Sequence, residues 1–389
     1  MIKKFSQIGL LMMCVLYVSC RKSFDPTVQT QAKSYLVVEG LINTGNDSTI
    51  IKLSRTVNVN DTMQVKTEAG ATINVIDETG NTYRLVEVSA GRYGAGPLGL
   101  NALHKYGLDI VTGNGTHYQS DLEAVRNAPP IDSVGYNVKD NRIIINVSSH
   151  DPANNTHYYK WDYDEDWQFN SKYRSGYIAE DDSVRRRTLD EDIYYCFNKS
   201  KSNNIVLGSS VKLTSDLIHE APVISIPGES LKISLRYSIL VKEFALSKEA
   251  YLFYENLKKN TEQLGSIFDA LPSEISGNIH NVDDPKELVI GYILAGTYTQ
   301  KRKYINKSEL PNWQTAYPEG CQLDTALYKP LNNDPLPQVQ FWIVEKRALA
   351  TDSIASSTGE VLGFFRTGFV CADCTLTGTK KRPDFWEDN

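Results

Sequence analysis

From Tyr35 to about residue 127 the chain alternates apolar and polar residues with a period of two, and no helical spacing interrupts it. Tyr35-Leu-Val-Val-Glu-Gly-Leu-Ile42 is rich in strand-forming side chains, and Ile50 and Leu53 mark a second strand. Ala71-Thr-Ile-Asn-Val-Ile76 alternates strictly, Asp77-Glu-Thr-Gly80 turns the chain, and Tyr83, Leu85 and Val86 follow. Tyr106, Leu108 and Ile110 point one way before Asn114-Gly115 makes a hairpin turn ahead of Tyr118. A period of two sends successive side chains to opposite faces, and several short strands at 8–15-residue spacing with no helical segment between them suggest two sheets stacked on their apolar sides. The expected fold class is therefore mainly β, with an N-terminal sandwich of immunoglobulin-like or transthyretin-like form over residues 34–127. A count of 22 Tyr against 4 Met leans the same way.

Ala128-Pro129-Pro130 breaks the pattern, because proline cannot donate to a ladder and restrains the residue before it. This predicts a boundary, with a larger β-rich domain over 128–389. Its expected strands are 134–138, 142–147, 158–169, 193–197, 205–213, 231–246, 288–298, 339–344 and 361–370. One helix is predicted over 248–264. Ser247 caps it, Ala250, Phe253, Tyr254, Leu257 and Leu264 recur at helical spacing, and Gly265 ends it. Residues 311–337 hold five prolines and read as a long packed loop.

The N-terminus gives an address. Lys3 and Lys4 precede an apolar run from Ile8 to Val18, then Ser19 and Cys20. The run is too short to span a bilayer and reads as a signal peptide over 1–19. Tyr17-Val-Ser-Cys20 resembles a bacterial lipobox, in which the Cys is acylated and becomes the mature N-terminus. Two or three acyl chains anchor stably, since each buried CH2 contributes about 0.8 kcal/mol. Polar residues 20–33 then serve as a tether. Of six cysteines, Cys196, Cys321, Cys371 and Cys374 remain in the exported chain. In an oxidising envelope they are expected to form two disulfides, Cys321 with Cys371 or Cys374 and Cys196 with the other. A four-thiolate zinc site is the rival, although it normally needs two CxxC pairs and only Cys371-Ala-Asp-Cys374 is one.

Signals of chemistry are few. The net charge of −6 argues against a nucleic-acid surface. No GxSxG, HExxH, GxxxxGK or GxGxxG motif occurs, and His150 and His157 are set too far apart for ligand spacing. No cofactor is expected. The most unusual stretch is Trp161-Asp-Tyr-Asp-Glu-Asp-Trp167. As a strand it puts Trp161 and Trp167 on one face and Asp162, Asp164 and Asp166 on the other. The acidic face must be solvated or hold a cation; an EF-hand is excluded because its sixth and twelfth positions are Trp167 and Tyr173. The tryptophans either pack in the core or stack on a ligand. Arg185-Arg186-Arg187, flanked by Glu180-Asp181-Asp182 and Asp190-Glu191-Asp192, is either an internally paired loop or a docking surface.

Taken in order, several motifs resemble a known family. They are the lipoprotein start, Leu36-Val-Val-Glu-Gly40, Ile51-Lys-Leu-Ser-Arg-Thr56, Ala128-Pro-Pro-Ile-Asp-Ser133, Gly265-Ser-Ile-Phe-Asp269, Gly277-Asn-Ile279, Val289-Ile-Gly-Tyr292 and the Cys371–Trp386 end. The chain resembles the Bacteroidota envelope lipoproteins of the domain-of-unknown-function 4249 family. That resemblance implies an outer-membrane lipoprotein accessory to a TonB-dependent transporter, with no catalytic residues to carry over. The expected function is thus a lipid-anchored binding or accessory protein, not an enzyme. An envelope hydrolase using paired carboxylates, or a structural assembly or export factor, stands as the alternative.

Overall fold

A computed structural model of the chain describes residues 34–57, 65–262, 276–329 and 337–387. The signal peptide, Cys20 and the tether lie outside the described residues, as does the Gly265–Asp269 motif. The molecule is mainly β, and among the described residues one long helix is present, from Lys248 to Glu262.

The N-terminal strands form a sandwich. In one sheet Leu36–Asn43 pairs antiparallel with Thr49–Arg55, which pairs with Arg92–Ala95. In the other, Thr72–Asp77 lies between Thr82–Ser89 and Lys105–Val111. Thr82–Ser89 also pairs with Arg92–Ala95, so it joins the two sheets. The inward residues are those the alternation marks: Val38, Ile51, Leu53, Ile73, Leu85, Tyr106, Leu108 and Ile110 are all buried.

Residues 34–127 do not close this sandwich alone. Ile279–Asn281 pairs with His117–Ser120, and Val289–Ile290 and the start of Leu294–Asn306 run parallel to Leu36–Asn43. Ile279, Val289, Ile293 and Ala295 sit in the same core. A parallel partner needs a crossover, and here the crossover is the whole intervening chain. Two glycines let the returning segment approach closely. A Cβ on Gly291 would stand 2.2 Å from the Val38 carbonyl oxygen, and one on Gly296 would stand 1.7 Å from that of Arg126.

Leu294–Asn306 then leaves the first sandwich and enters the second. There it pairs with Arg236–Ala245, which pairs with Tyr158–Asn170. The outer edge is Tyr195–Lys201 beside one half of Tyr158–Asn170 and Val206–Ser209 beside the other. A second sheet of Ile131–Lys139, Arg142–His150 and Leu217–Pro227 packs on it through Ile143, Ile145, Val147, Ile218 and Ile226. Asp140 and Asn141, both at positive φ (49° and 57°), make the tight hairpin between the first two strands, since short polar side chains tolerate that conformation.

A small C-terminal lobe holds Asp324–Leu327, Val361–Thr367 and Leu349–Ala355, with the hairpin Tyr177–Glu180/Ser183–Arg186 laid on it. Val339–Val344 was expected as a strand; Gln340–Val344 is instead a single wide helical turn. Short apolar runs do not distinguish the two by pattern. Val339 and Ile343, four residues apart, are the buried pair, which is the helical choice. The disulfide Cys196–Cys374 ties the segment that follows this lobe to the Tyr195–Lys201 strand of the second sandwich, and Cys321–Cys371 joins the segments that flank the lobe's strands.

Candidate functional site

The helix Lys248–Glu262 forms where the sequence predicts, with Ser247 Oγ accepting from the Ala250 amide at 3.0 Å. It sits at the junction of the two sandwiches. Ala250 and Phe253 bury against Leu246, Tyr292 and Leu294, and Tyr254 and Leu257 pack on the same cluster. Between the helix and the outer faces of both sheets a cleft of about 660 Å3 opens. One wall is Leu36–Asn43 with Lys52 and Arg92; the other is Tyr158–Asn170 with Lys242, Phe244 and Tyr298. The turn from Lys201 to Ile205 forms the rim.

The alternation read from Trp161 to Trp167 decides what faces this cleft. Trp161, Tyr163, Glu165 and Trp167 all point into the core and are buried. The tryptophans are therefore packing residues, not a ligand platform. Trp161 Nε1 donates to Glu243 Oε2 at 2.7 Å, and Lys232 Nζ lies 5.1 Å over the Trp167 ring. Glu165 is buried with Lys232 Nζ at 2.6 Å and Tyr237 Oη at 2.8 Å.

On the opposite face each aspartate has its own cation. Lys160 Nζ donates to Asp162 at 2.5 Å, Lys242 Nζ donates to Asp164 at 2.7 Å, and Arg302 lies 3.8 Å from Asp166. Side-chain ammonium and guanidinium groups thus stand against the carboxylates for which the sequence offers solvent or a bound cation. Among the described residues, no group of three His, Cys, Asp or Glu stands close enough to hold a metal. Burial raises the Asp166 carboxyl above its ordinary value, and Arg302 pulls the other way. Asp162 and Asp164 line the cleft and Asp166 does not.

Cleft electrostatics are net positive. Lys52, Arg92, Lys160, Lys201 and Lys242 face Glu39, Asp162 and Asp164 across it. Lys160 Nζ also lies 5.0 Å from the Phe244 ring centre and 5.3 Å from that of Tyr254, so one ammonium is held by a carboxylate and two aromatic faces. Arg92 and Lys201 are exposed. Sequence reasoning missed Lys160, Lys242, Phe244, Tyr254 and Arg92 as a group. They come from four separate segments and no local spacing links them.

The arginine run divides three ways. Arg185 is spent on two acids, Glu180 at 2.7 Å and Glu191 at 2.7 Å. Hydrogen bonds from Arg185 hold the Glu191 carboxyl well below the usual carboxylate range. Arg187 is half-buried, and Arg186 is exposed over the Tyr177 ring at 5.7 Å. Of the three arginines, Arg185 alone is thus ion-paired.

Residues 21–302 match the family described as Domain of unknown function (DUF4249), and the chain belongs to that family. The match ends inside Leu294–Asn306, so the C-terminal lobe lies beyond it. No curated protein matches the chain in sequence. Among solved structures, a two-domain fibronectin type III segment of chicken tenascin is similar over 55% of this chain and 92% of that one. Its identity is 10% and its TM-score 0.16, a superposition too loose to define a shared fold.

Proposed function

We propose that this protein is a non-catalytic accessory protein of the bacterial outer membrane, anchored by acyl chains on Cys20. Its junction cleft grips an acidic segment of a TonB-dependent transporter. The carrying observation is the balance of charge in the cleft. Asp162 and Asp164 are each already held by a lysine, whereas Arg92 and Lys201 project into solvent beside them. Surplus positive charge next to the Phe244 and Tyr254 rings suits an acidic partner segment, and charge complementarity of this kind sets specificity and association rate. The tether holds both partners on one membrane, so a modest affinity suffices.

The test is a detergent pull-down from the native host with identification of co-purifying membrane proteins. The wild-type chain is expected to retain a transporter, and Arg92→Glu with Lys201→Glu to lose it at an unchanged melting temperature. Turnover of a glycan or peptide by the purified chain, abolished by Asp162→Asn, would replace this reading with the hydrolase.

A further inference from the structure

A second cavity, about 290 Å3, lies in the C-terminal lobe between the Tyr177–Arg186 hairpin and Leu349–Ala355. Arg174, Arg186 and Arg187 line it with Tyr177, Asp192 and Asp352. Arg187 is fixed there. Its Nε donates to Ser175 Oγ at 3.2 Å and its Nη1 to the Glu191 carbonyl oxygen at 3.3 Å. Ser175 is itself buried, with its hydroxyl donating to the Ala350 carbonyl at 3.0 Å.

What Arg187 lacks is a direct ion pair. The nearby Glu191 carboxylate accepts from both Nη atoms of Arg185, at 2.7 and 2.8 Å, and from the Thr188 amide at 2.9 Å. Asp192 is taken by Arg174 at 2.6 Å and by the Tyr194 amide at 3.1 Å. Among the described residues, no carboxylate oxygen lies within 4.0 Å of the Arg186 or Arg187 guanidinium; the ion pairs beside this cavity run through Arg174 and Arg185. Burial works against the charge on Arg187 and draws the group below its ordinary value, and the Glu191, Asp373 and Asp192 carboxylates, none in direct contact, offset it only in part. A half-buried guanidinium without a direct ion pair is unfavourable, and an anion in the cavity would reduce that cost. Its planar fork of donors matches carboxylate, phosphate and sulfate oxygens.

We propose that this cavity is an anion-binding site for the carboxylate, phosphate or sulfate group of a small polar ligand. Arg187 is the fixed donor, and Arg186, resting on Tyr177, is the adjustable one. The site is separate from the junction cleft and does not depend on the transporter reading. Asp352, exposed at the rim, opposes the anion.

The test is calorimetric titration of the detergent-solubilised full chain at low ionic strength with sodium phosphate, sodium sulfate and sodium glucuronate. Saturable binding of one ion per chain is expected. Arg187→Gln should weaken it about tenfold or more, the scale of one charge-assisted contact. Asp352→Asn should tighten it. Should Arg187→Gln fail to fold, Arg186→Gln decides, with a several-fold loss at an unchanged melting temperature. Preference for phosphate and sulfate assigns an ester ligand, and preference for glucuronate a carboxylate. Absence of saturable binding for all three, or equal affinity in wild type and Arg186→Gln, overturns the proposal.

Discussion

Glu243 is fully buried between the two sheets of the second sandwich. Burial pushes its carboxyl up to about 7, the Asp216 and Asp132 carboxylates add to that, and hydrogen bonds from Ser149 and Trp161 pull the other way. The ordinary value is 4.5, so between pH 4.5 and about 7 the folded chain keeps a proton that the unfolded chain gives up. Stability from this residue is full below the lower limit and is lost as pH rises through the upper one. The expected loss is about 3 kcal/mol. Glu243→Gln should flatten this dependence. Its amide can keep Trp161 as donor while the Ser149 hydroxyl turns to accept. Urea melts at pH 4.5 and pH 8 measure both chains, and parallel slopes for the two would refute the assignment. At this scale the sequence was half legible. Parity along the strand places Trp161 and Trp167 inside and Asp162 and Asp164 outside, but Asp166, on the same face as those two, is buried beside Arg302. The lysines that neutralise the aspartates were not legible as partners, because Lys242 meets Asp164 across a strand pair 78 residues apart.

Among the elements, Leu294–Asn306 matters most, since it belongs to both sandwiches. Gly296 is where it crosses the first one, at φ 153° and against the Arg126 backbone. Gly296→Ala should force these strands apart and destabilise by about 2 kcal/mol or more, read as a lowered urea midpoint. An unchanged midpoint would mean the approach is looser than described. The two disulfides close separations of 178 and 50 residues. By chain entropy they contribute about 5 and about 4 kcal/mol. Replacing Cys196 and Cys374 by Ser should therefore destabilise more than replacing Cys321 and Cys371, as denaturant unfolding of each pair measures. Local alternation made most strands readable, but it carries no record of which strands meet. The return of Ile279–Asn281 and Val289–Ile290 to the N-terminal core is a long-range pairing that Pro129-Pro130 concealed by looking like a boundary.

The whole molecule follows from that return. A fragment of residues 34–127 lacks Ile279, Val289, Ile293 and Ala295 of its own core and leaves Leu36–Asn43 with an open edge. Expressed alone it should stay unfolded by near-ultraviolet circular dichroism, and a cooperative melt from it would contradict the interleaved architecture. Membrane attachment is tested separately: Cys20→Ala should move the protein from the membrane fraction to the soluble one. The junction cleft exists only because the two sandwiches share a strand and the Lys248–Glu262 helix wedges between them, which is why composition and motif reading did not find it. The most direct measurement of its role is in-cell photo-crosslinking from residue 201, at the cleft rim, with residue 139 at the tip of the Asp140-Asn141 hairpin as the comparison. The account predicts a crosslink to an outer-membrane transporter from 201 and none from 139. A transporter crosslink from 139 with none from 201 would contradict it.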